Sequence, residues 1–317
     1  MLNEILATLQ VLSLPTRTNF RSVTKREVAL FKGPNGWGEF SPFLEYEKEE
    51  AAYWLGAGIE AAFGELPKLQ RDEIEINATL PAVDSQLDVE RILSWYPGAK
   101  VVKIKVGDDL EADLNRIQHA INFNDNLKIR LDVNGGWSVK QAEDSIAQIV
   151  QRFGLERFEY IEQPVATLQE LKELNLPIPV AGDEVIRKAK DPFSVDLQGA
   201  VDILMLKVSP LGGIARSLAI AKHHNLPIVV SSALESAVGI SQGIRLAAAL
   251  PQLNYACGLA TGKLLSNDVA ELPIIAGRMK VSEVHPTGML NFQAAPERIT
   301  WWKNRIRDSF EVWQARN

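Results

Sequence analysis

From about residue 74 onward, short apolar, β-branched runs recur roughly every 20 to 30 residues, each followed by a stretch of helical periodicity. The runs are EIEINATL (73–80), KVVKIKV (100–106), LKIRLDV (127–133), FEYIE (158–162), IPVAGD (178–183), VDILMLKV (201–208), LPIVVSS (226–232) and NYACGL (254–259). Between them lie helix-like segments such as EADLNRIQHAINF, VKQAEDSIAQIVQRFG and GIARSLAIAKHHN. Strict alternation of the two predicts a parallel sheet with right-handed crossovers, and eight such strands close into a barrel. The opening stretch reads differently: strand-like LATLQVLSL and EVALFKG, a turn at GPNGWG and a helix over EKEEAAYWLGAGIEAAF predict a small α+β unit. We therefore divide the chain into an α+β capping domain at 1–72, a barrel at 73–284, and a tail from about 285 to 317 that folds back on the cap. Just before that tail, after about residue 264, ELPIIAG (271–277) and RMKVSEV (278–284) are strand-like.

Alternation along each strand sorts its side chains. Val102, Ile104 and Val106 form an apolar set that faces helices, which turns Lys103 and Lys105 inward. By the same rule Arg130 and Asp132 point inward from the third strand and Lys207 from the sixth, while Glu162 and Asp183 end the fourth and fifth. A charged residue at a strand end is usually just solvated at a loop. The set carries more weight, because Lys105, Asp132, Glu162, Asp183 and Lys207 are spaced by 27, 30, 21 and 24 residues, about one βα unit each. In a barrel the strands' C-terminal ends form the active-site face. Three carboxylates meeting there repel unless a cation neutralises them. Hard oxygen ligands suit octahedral Mg²⁺, with Mn²⁺ as the alternative, and zinc is disfavoured for want of accompanying Cys or His. Lysines beside such a metal point to proton abstraction next to a carboxylate, with a lysine whose pKa is depressed by neighbouring positive charge acting as base; Lys103, on the same face, supplies that charge to Lys105.

Composition narrows the partners. The 317 residues carry 34 Lys and Arg against 40 Asp and Glu, a net charge of −6, with no basic block, which argues against nucleic acid. No apolar run approaches the roughly 20 residues of a membrane span, and the first fifteen residues lack a basic signal-peptide region, so a small-molecule substrate and a cytoplasmic location are expected. The single cysteine, Cys257, sits in apolar NYACGLA and reads as a small buried hydrophobe. The Gly212-Gly213 pair is read as a turn rather than an anion site, His223 and His224 as surface, and Trp37 and Phe40 as either packing or pocket lining. No G-x-G-x-x-G follows a strand and no P-loop occurs, which argues against nucleotide cofactors.

The stretches K-I-K (103–105), R-L-D-V-N-G-G-W (130–137), Y-I-E-Q-P (160–164), A-G-D-E (181–184) and L-K-V-S-P-L-G-G (206–213), in this order, resemble the enolase superfamily in its muconate-lactonizing-enzyme subgroup. The resemblance implies a modified (β/α)7β TIM-like barrel with an α+β cap. It implies Asp132, Glu162 and Asp183 as Mg²⁺ ligands, Lys105 as acid/base on one face of the substrate and Lys207 on the other. The short cap, N-F-R-S (19–22) leading into G-W-G-E-F-S-P-F (36–43), and S-S-A-L-E-S-A-V-G (231–239) are most similar to the o-succinylbenzoate synthase family. That likeness implies a lyase that dehydrates 2-succinyl-6-hydroxy-2,4-cyclohexadiene-1-carboxylate through an enediolate. Ser231 or Ser232 would bind the succinyl carboxylate, and Lys103 and Arg130 would join in substrate binding, with an ion pair to the acids as the other role open to Arg130. The rival on the same site is N-succinylamino acid racemase or dipeptide epimerase. Outside that chemistry stand a Schiff-base aldolase barrel and an inactive binding barrel.

Overall fold

The computed structural model describes residues 1–20 and 23–317, the side chains of Asn19 and Phe20 excepted, so the N-F-R-S expectation lies largely outside the described residues. The chain opens with α1 (Leu2–Thr8), the antiparallel strands β1 (Gln10–Phe20), β2 (Val23–Gly33) and β3 (Gly36–Phe40), and α2 (Lys48–Phe63). The strand expected from Leu6 thus begins only at Gln10. Leu2, Ile5, Leu6 and Leu9 pack on the cap core at helical spacing, which makes a helix of the preceding residues. The expected turn at GPNGWG closes a hairpin in which Gly33 pairs with Gly36. A Cβ at Gly38 would collide with the Gly58 carbonyl, so the glycines of β3 and α2 let the helix lie directly on the sheet.

The barrel runs β4 (Glu73–Glu75), β5 (Ala78–Leu80), α3 (Gln86–Leu93), β6 (Val101–Lys105), α4 (Leu110–Phe123), β7 (Lys128–Asp132), α5 (Val139–Phe153), β8 (Phe158–Glu162), α6 (Leu168–Glu173), β9 (Val180–Gly182) and α7 (Glu184–Arg187). It continues with β10 (Ile203–Lys207), α8 (Val208–Leu211), α9 (Ile214–His224), β11 (Ile228–Ser231) and α10 (Ala237–Ala249). Its parallel sheet has the order β11-β10-β9-β8-β7-β6-β5. Local signals start the helices: Ser85 and Asp109 cap α3 and α4, and capping boxes at Ser138/Gln141 and Thr167/Glu170 start α5 and α6.

Three expectations need correction. EIEINATL is not one strand: β4 leaves the barrel to pair antiparallel with β12 (Arg278–Lys280), and only β5 stays in it. ELPIIAG forms no strand beyond the bridge from Ile275 to Arg278. NYACGL is reduced to Cys257 and Gly258, which still span the gap between the sheet's edges: Cys257 N–H donates to Glu75 (2.7 Å), Asn77 N–H to Cys257 (3.0 Å) and Gly258 N–H to Val230 (2.8 Å). The outward sets Val102/Ile104/Val106, Ile129/Leu131/Val133 and Leu204/Leu206/Val208 all lie in the core between sheet and helices. Inside the barrel Tyr160, Ala181, Ile203, Met205 and Val229 form a separate apolar layer beneath the mouth. Cys257 is buried, and burial pushes its thiol up to about 12. The chain ends in α11 (Pro296–Arg316), which packs on α2 and puts Trp302 edge-on to Phe40 in the cap core. Phe40 is therefore packing, and Trp37 is partly buried against the core between cap and barrel. Among the described residues no helix is long and apolar enough to cross a membrane.

The Gly212-Gly213 turn has positive φ at both residues (90° and 122°), as expected of it, and leads into α9. The helix N-terminus is occupied from within the chain: the Glu60 carboxylate of α2 accepts the N–H groups of Ile214 and Ala215. Glu60→Ala removes this capping carboxylate from the junction of cap and barrel; we expect a loss of about 1 kcal/mol, read as a lower urea midpoint at unchanged m value.

Candidate active site

The polar residues that end the strands stand level around the mouth, because the sheet pairs Lys105 with Asp132, Asp132 with Glu162, Glu162 with Ala181 and Lys207 with Ser231. Acid and base alternate there. Lys103 Nζ lies 3.1 Å from Asp132 Oδ2 and 2.9 Å from Glu162 Oε2, and Lys207 Nζ lies 2.5 Å from Asp183 Oδ2 and 3.9 Å from Glu162 Oε1. Arg187, from α7, adds a contact of 3.2 Å to Asp183 and one of 2.6 Å to Glu184. Burial pushes the Glu162 carboxyl up to about 7, and the Asp132 charge adds to the effect against Lys103 and Lys207. Burial also works against the Lys103 ammonium, but Asp132 and Glu162 outweigh it and hold that group above the ordinary lysine value.

Lys105 donates to Asn134 Oδ1, and the Asn134 amide in turn reaches Glu184 Oε1 at 3.4 Å. Asn134 follows β7 with φ of 53°, a left-handed conformation that asparagine tolerates and that aims its side chain across the mouth. Above these groups lies a cavity of about 270 Å³, lined by Lys103, Lys105, Asp132, Lys207, Ser231 and Ser232 and by Phe43 of the cap. Ser232 Oγ donates to the Gly258 carbonyl at 2.6 Å and lies 2.7 Å from Thr261 Oγ1, while Ser231 Oγ reaches the same carbonyl at 3.5 Å. Asn134, Thr261 and Phe43 were not among the residues expected here. Asn134 and Phe43 lie inside the motifs R-L-D-V-N-G-G-W and G-W-G-E-F-S-P-F, whereas Thr261 has no local signal.

Arg130 departs from its expected place. It points inward but below the mouth, fully buried, with its guanidinium 2.7 Å from Glu159, donating to Asn77 Oδ1 and the Ala256 carbonyl, and lying 4.8 Å from the Tyr160 ring. It does not line the cavity. Its partner acid is Glu159, at the opposite end of β8 from Glu162.

Whether the carboxylates suit a divalent cation is decided by their chemistry. Asp132, Glu162 and Asp183 offer only hard oxygen donors on successive strands, and Glu162 Oε1 is buried without a hydrogen-bond partner. Among the described residues no three acidic, His or Cys groups gather at ligand distance, because the Lys103 and Lys207 ammonium groups lie between the carboxylates. The donor set fits Mg²⁺, and a cation drawing the three oxygens together would take over the neutralisation these lysines now provide.

Comparison with known proteins agrees with this architecture. The family profile described as "Enolase N-terminal domain-like" matches residues 11–62, and "Enolase C-terminal domain-like" matches residues 89–286. The chain is 47% identical over 320 residues to the o-succinylbenzoate synthase of Mycobacterium leprae, covering 98% of this chain and 94% of that one. It is 45% identical over 324 residues to the synthase of Mycobacterium ulcerans, covering 100% and 97%. Among solved structures, the muconate lactonizing enzyme of Pseudomonas putida superposes with a TM-score of 0.70 at 21% identity, covering 92% of this chain and 97% of that one, and shares the fold. Superfamily members of this kind generally use Mg²⁺. This chain is an enzyme of the enolase superfamily and belongs, within it, to the o-succinylbenzoate synthase family.

Proposed function

We propose that the protein removes water from 2-succinyl-6-hydroxy-2,4-cyclohexadiene-1-carboxylate to give 2-succinylbenzoate, a step of menaquinone or phylloquinone synthesis, in the cytoplasm. The observation that carries this reading is identity of 43 to 47% with synthases of that name over nearly the whole of both chains. The alternation of Asp132, Lys103, Glu162, Lys207 and Asp183 at the barrel mouth, with Lys103, Lys105, Asp132 and Lys207 lining one cavity, is consistent with it.

In this reading the cap, residues 1–72 with the returning tail from about 285, closes a barrel of residues 73–284. Asp132, Glu162 and Asp183 hold Mg²⁺, which when bound supplies Lewis-acid stabilisation to the substrate carboxylate. Lys105 starts as the neutral amine, favoured by the ammonium of Lys103 two residues away, and is oriented by Asn134. It takes the proton from the carbon bearing the carboxylate, and the C–H electron pair moves onto that carboxylate to give an enediolate. That pair then forms the new ring double bond as the C–O bond to the hydroxyl breaks. Lys105 returns its proton to the departing oxygen, so water leaves from the same face and the amine is regenerated. Lys207, held by Asp183 across the cavity, offsets the negative charge while the enediolate exists. Ser231 and Ser232 bind the succinyl carboxylate, and Lys103 faces the carboxylate at the ring.

Incubation with the cyclohexadiene substrate and Mg²⁺ should abolish the diene absorbance with loss of one water by mass, and EDTA or Lys105→Ala should each stop the reaction. Turnover that survives either treatment defeats the mechanism. A racemase would instead exchange the α-proton of an N-succinylamino acid in D₂O while leaving the diene intact. Lys103→Met leaves Asp132 and Glu162 facing one another without their shared ammonium; in EDTA we expect a loss of about 3 kcal/mol of unfolding free energy, measured by urea titration.

A further inference from the structure

One part of the cavity wall is built by two separate parts of the chain, Phe43 just beyond β3 and the end of β11 with the turn that follows it, where Ser231, Ser232 and Ala233 line the space. The turn is strained: Leu234 has φ of 63°, a left-handed conformation that a branched side chain adopts only when its surroundings impose it, and its side chain is fully buried between cap and barrel. Arg26 of β2 grips this turn from the cap side. Its side chain is buried, its Nε donates to the Leu234 carbonyl at 3.0 Å, its Nη2 donates to the Ser41 carbonyl, and its guanidinium lies 4.5 Å from the centre of the Phe43 ring. One rigid planar fork thus touches both halves of the wall.

The groups around Arg26 complete the connection. Ser41 Oγ donates to Glu39 Oε1 at 2.6 Å, and Glu39 accepts the Ser236 hydroxyl at 2.6 Å and the Gly239 N–H at 2.9 Å at the start of α10. Glu235 accepts the Ala233 N–H at 2.6 Å, closing the turn on itself. Burial opposes the charge on Arg26 and holds the group below the ordinary arginine value, with Glu39, Glu235, Tyr46 and Glu45 countering it only in part. An apolar side chain would fill the same space without a desolvation cost. What the guanidinium adds is a fixed distance between Phe43 and the 232–235 turn.

We propose that Arg26 is a positioning residue for the substrate's succinyl arm, holding Phe43 and the Ser232–Glu235 turn as one wall. This rests on the assignment of Ser231 and Ser232 to the succinyl carboxylate. Arg26 itself touches no reacting atom, so its removal loosens binding of the arm and leaves proton transfer at Lys105 unaffected.

The test uses the full chain with Mg²⁺. Wild-type turnover of the cyclohexadiene and calorimetric binding of 2-succinylbenzoate come first; their absence defeats the functional reading and this inference with it. Given an active wild type, Arg26→Met should raise KM roughly tenfold while kcat changes less than about threefold, since displaced positioning groups act through geometry. The Kd of 2-succinylbenzoate should rise in parallel and that of benzoate, which lacks the arm, should stay constant. Arg26→Lys keeps the charge but not the fork and should fall between the two; if Arg26→Met does not fold, this variant decides the matter alone. Arg71→Met supplies the structural comparison: Arg71 donates to the carbonyls of Ala247 and Leu250 at the far end of α10, away from the cavity, and its loss should lower Tm without altering KM. Unchanged KM and product affinity in folded Arg26 variants overturn the proposal, and so does an equal loss of affinity for benzoate.

Discussion

Carboxylates crowded into a water-poor barrel mouth repel one another, and every other feature of the site is arranged around that difficulty. Removing a charge from water costs several kcal/mol, which is recovered only where an opposite charge lies in good geometry. Here each buried acid has a cation within reach: Lys103 serves Asp132 and Glu162, Lys207 and Arg187 serve Asp183, and Arg187 also serves Glu184. The apolar layer of Tyr160, Met205 and Val229 below excludes water from beneath, so the polar ring has a floor as well as a rim. The same low-dielectric setting that makes the assembly costly makes each of its charges effective at a reacting atom.

The cap is fastened to the barrel by the same physics used in reverse. Helix N-termini expose unsatisfied N–H groups, and two of the barrel's helices meet carboxylates that come from outside the barrel core: Glu60 at α9 and Glu39 at α10. Asp268, from the segment after the last stave, accepts the Ala237 N–H at the start of α10 as well. These contacts orient the cap by hydrogen-bond direction, which the apolar packing of Phe40 on Trp302 does not do.

What was legible in the sequence follows from periodicity. A strand's side chains alternate, so the outward placement of Val102, Ile104 and Val106 dictates that Lys103 and Lys105 point inward. Alternation fixes the face and not the depth. Arg130 shares the parity of Asp132 but lies two residues earlier, roughly 7 Å lower in the barrel, and that shift takes it from the cavity to Glu159. Past a strand end the rule lapses altogether, so nothing local selects Phe43 over Trp37 or Phe40 as the aromatic that reaches the site. Glu60 is 154 residues from Ile214, and a contact of that span leaves no trace in either neighbourhood. The first helix was missed for the opposite reason, because its apolar residues at helical spacing run straight into the alternating pattern of β1.

The narrow closing stave gives the inward guanidinium its purpose. The strip at Cys257 and Gly258 closes the wall with two residues, one bridged to Ile76 and the other to Ser231. Arg130 spans that join from within, gripping Asn77 on one side and Ala256 on the other. It acts as a rivet through that narrow seam, two positions along the chain from Gly258, whose carbonyl receives the Ser232 hydroxyl at the lip of the cavity.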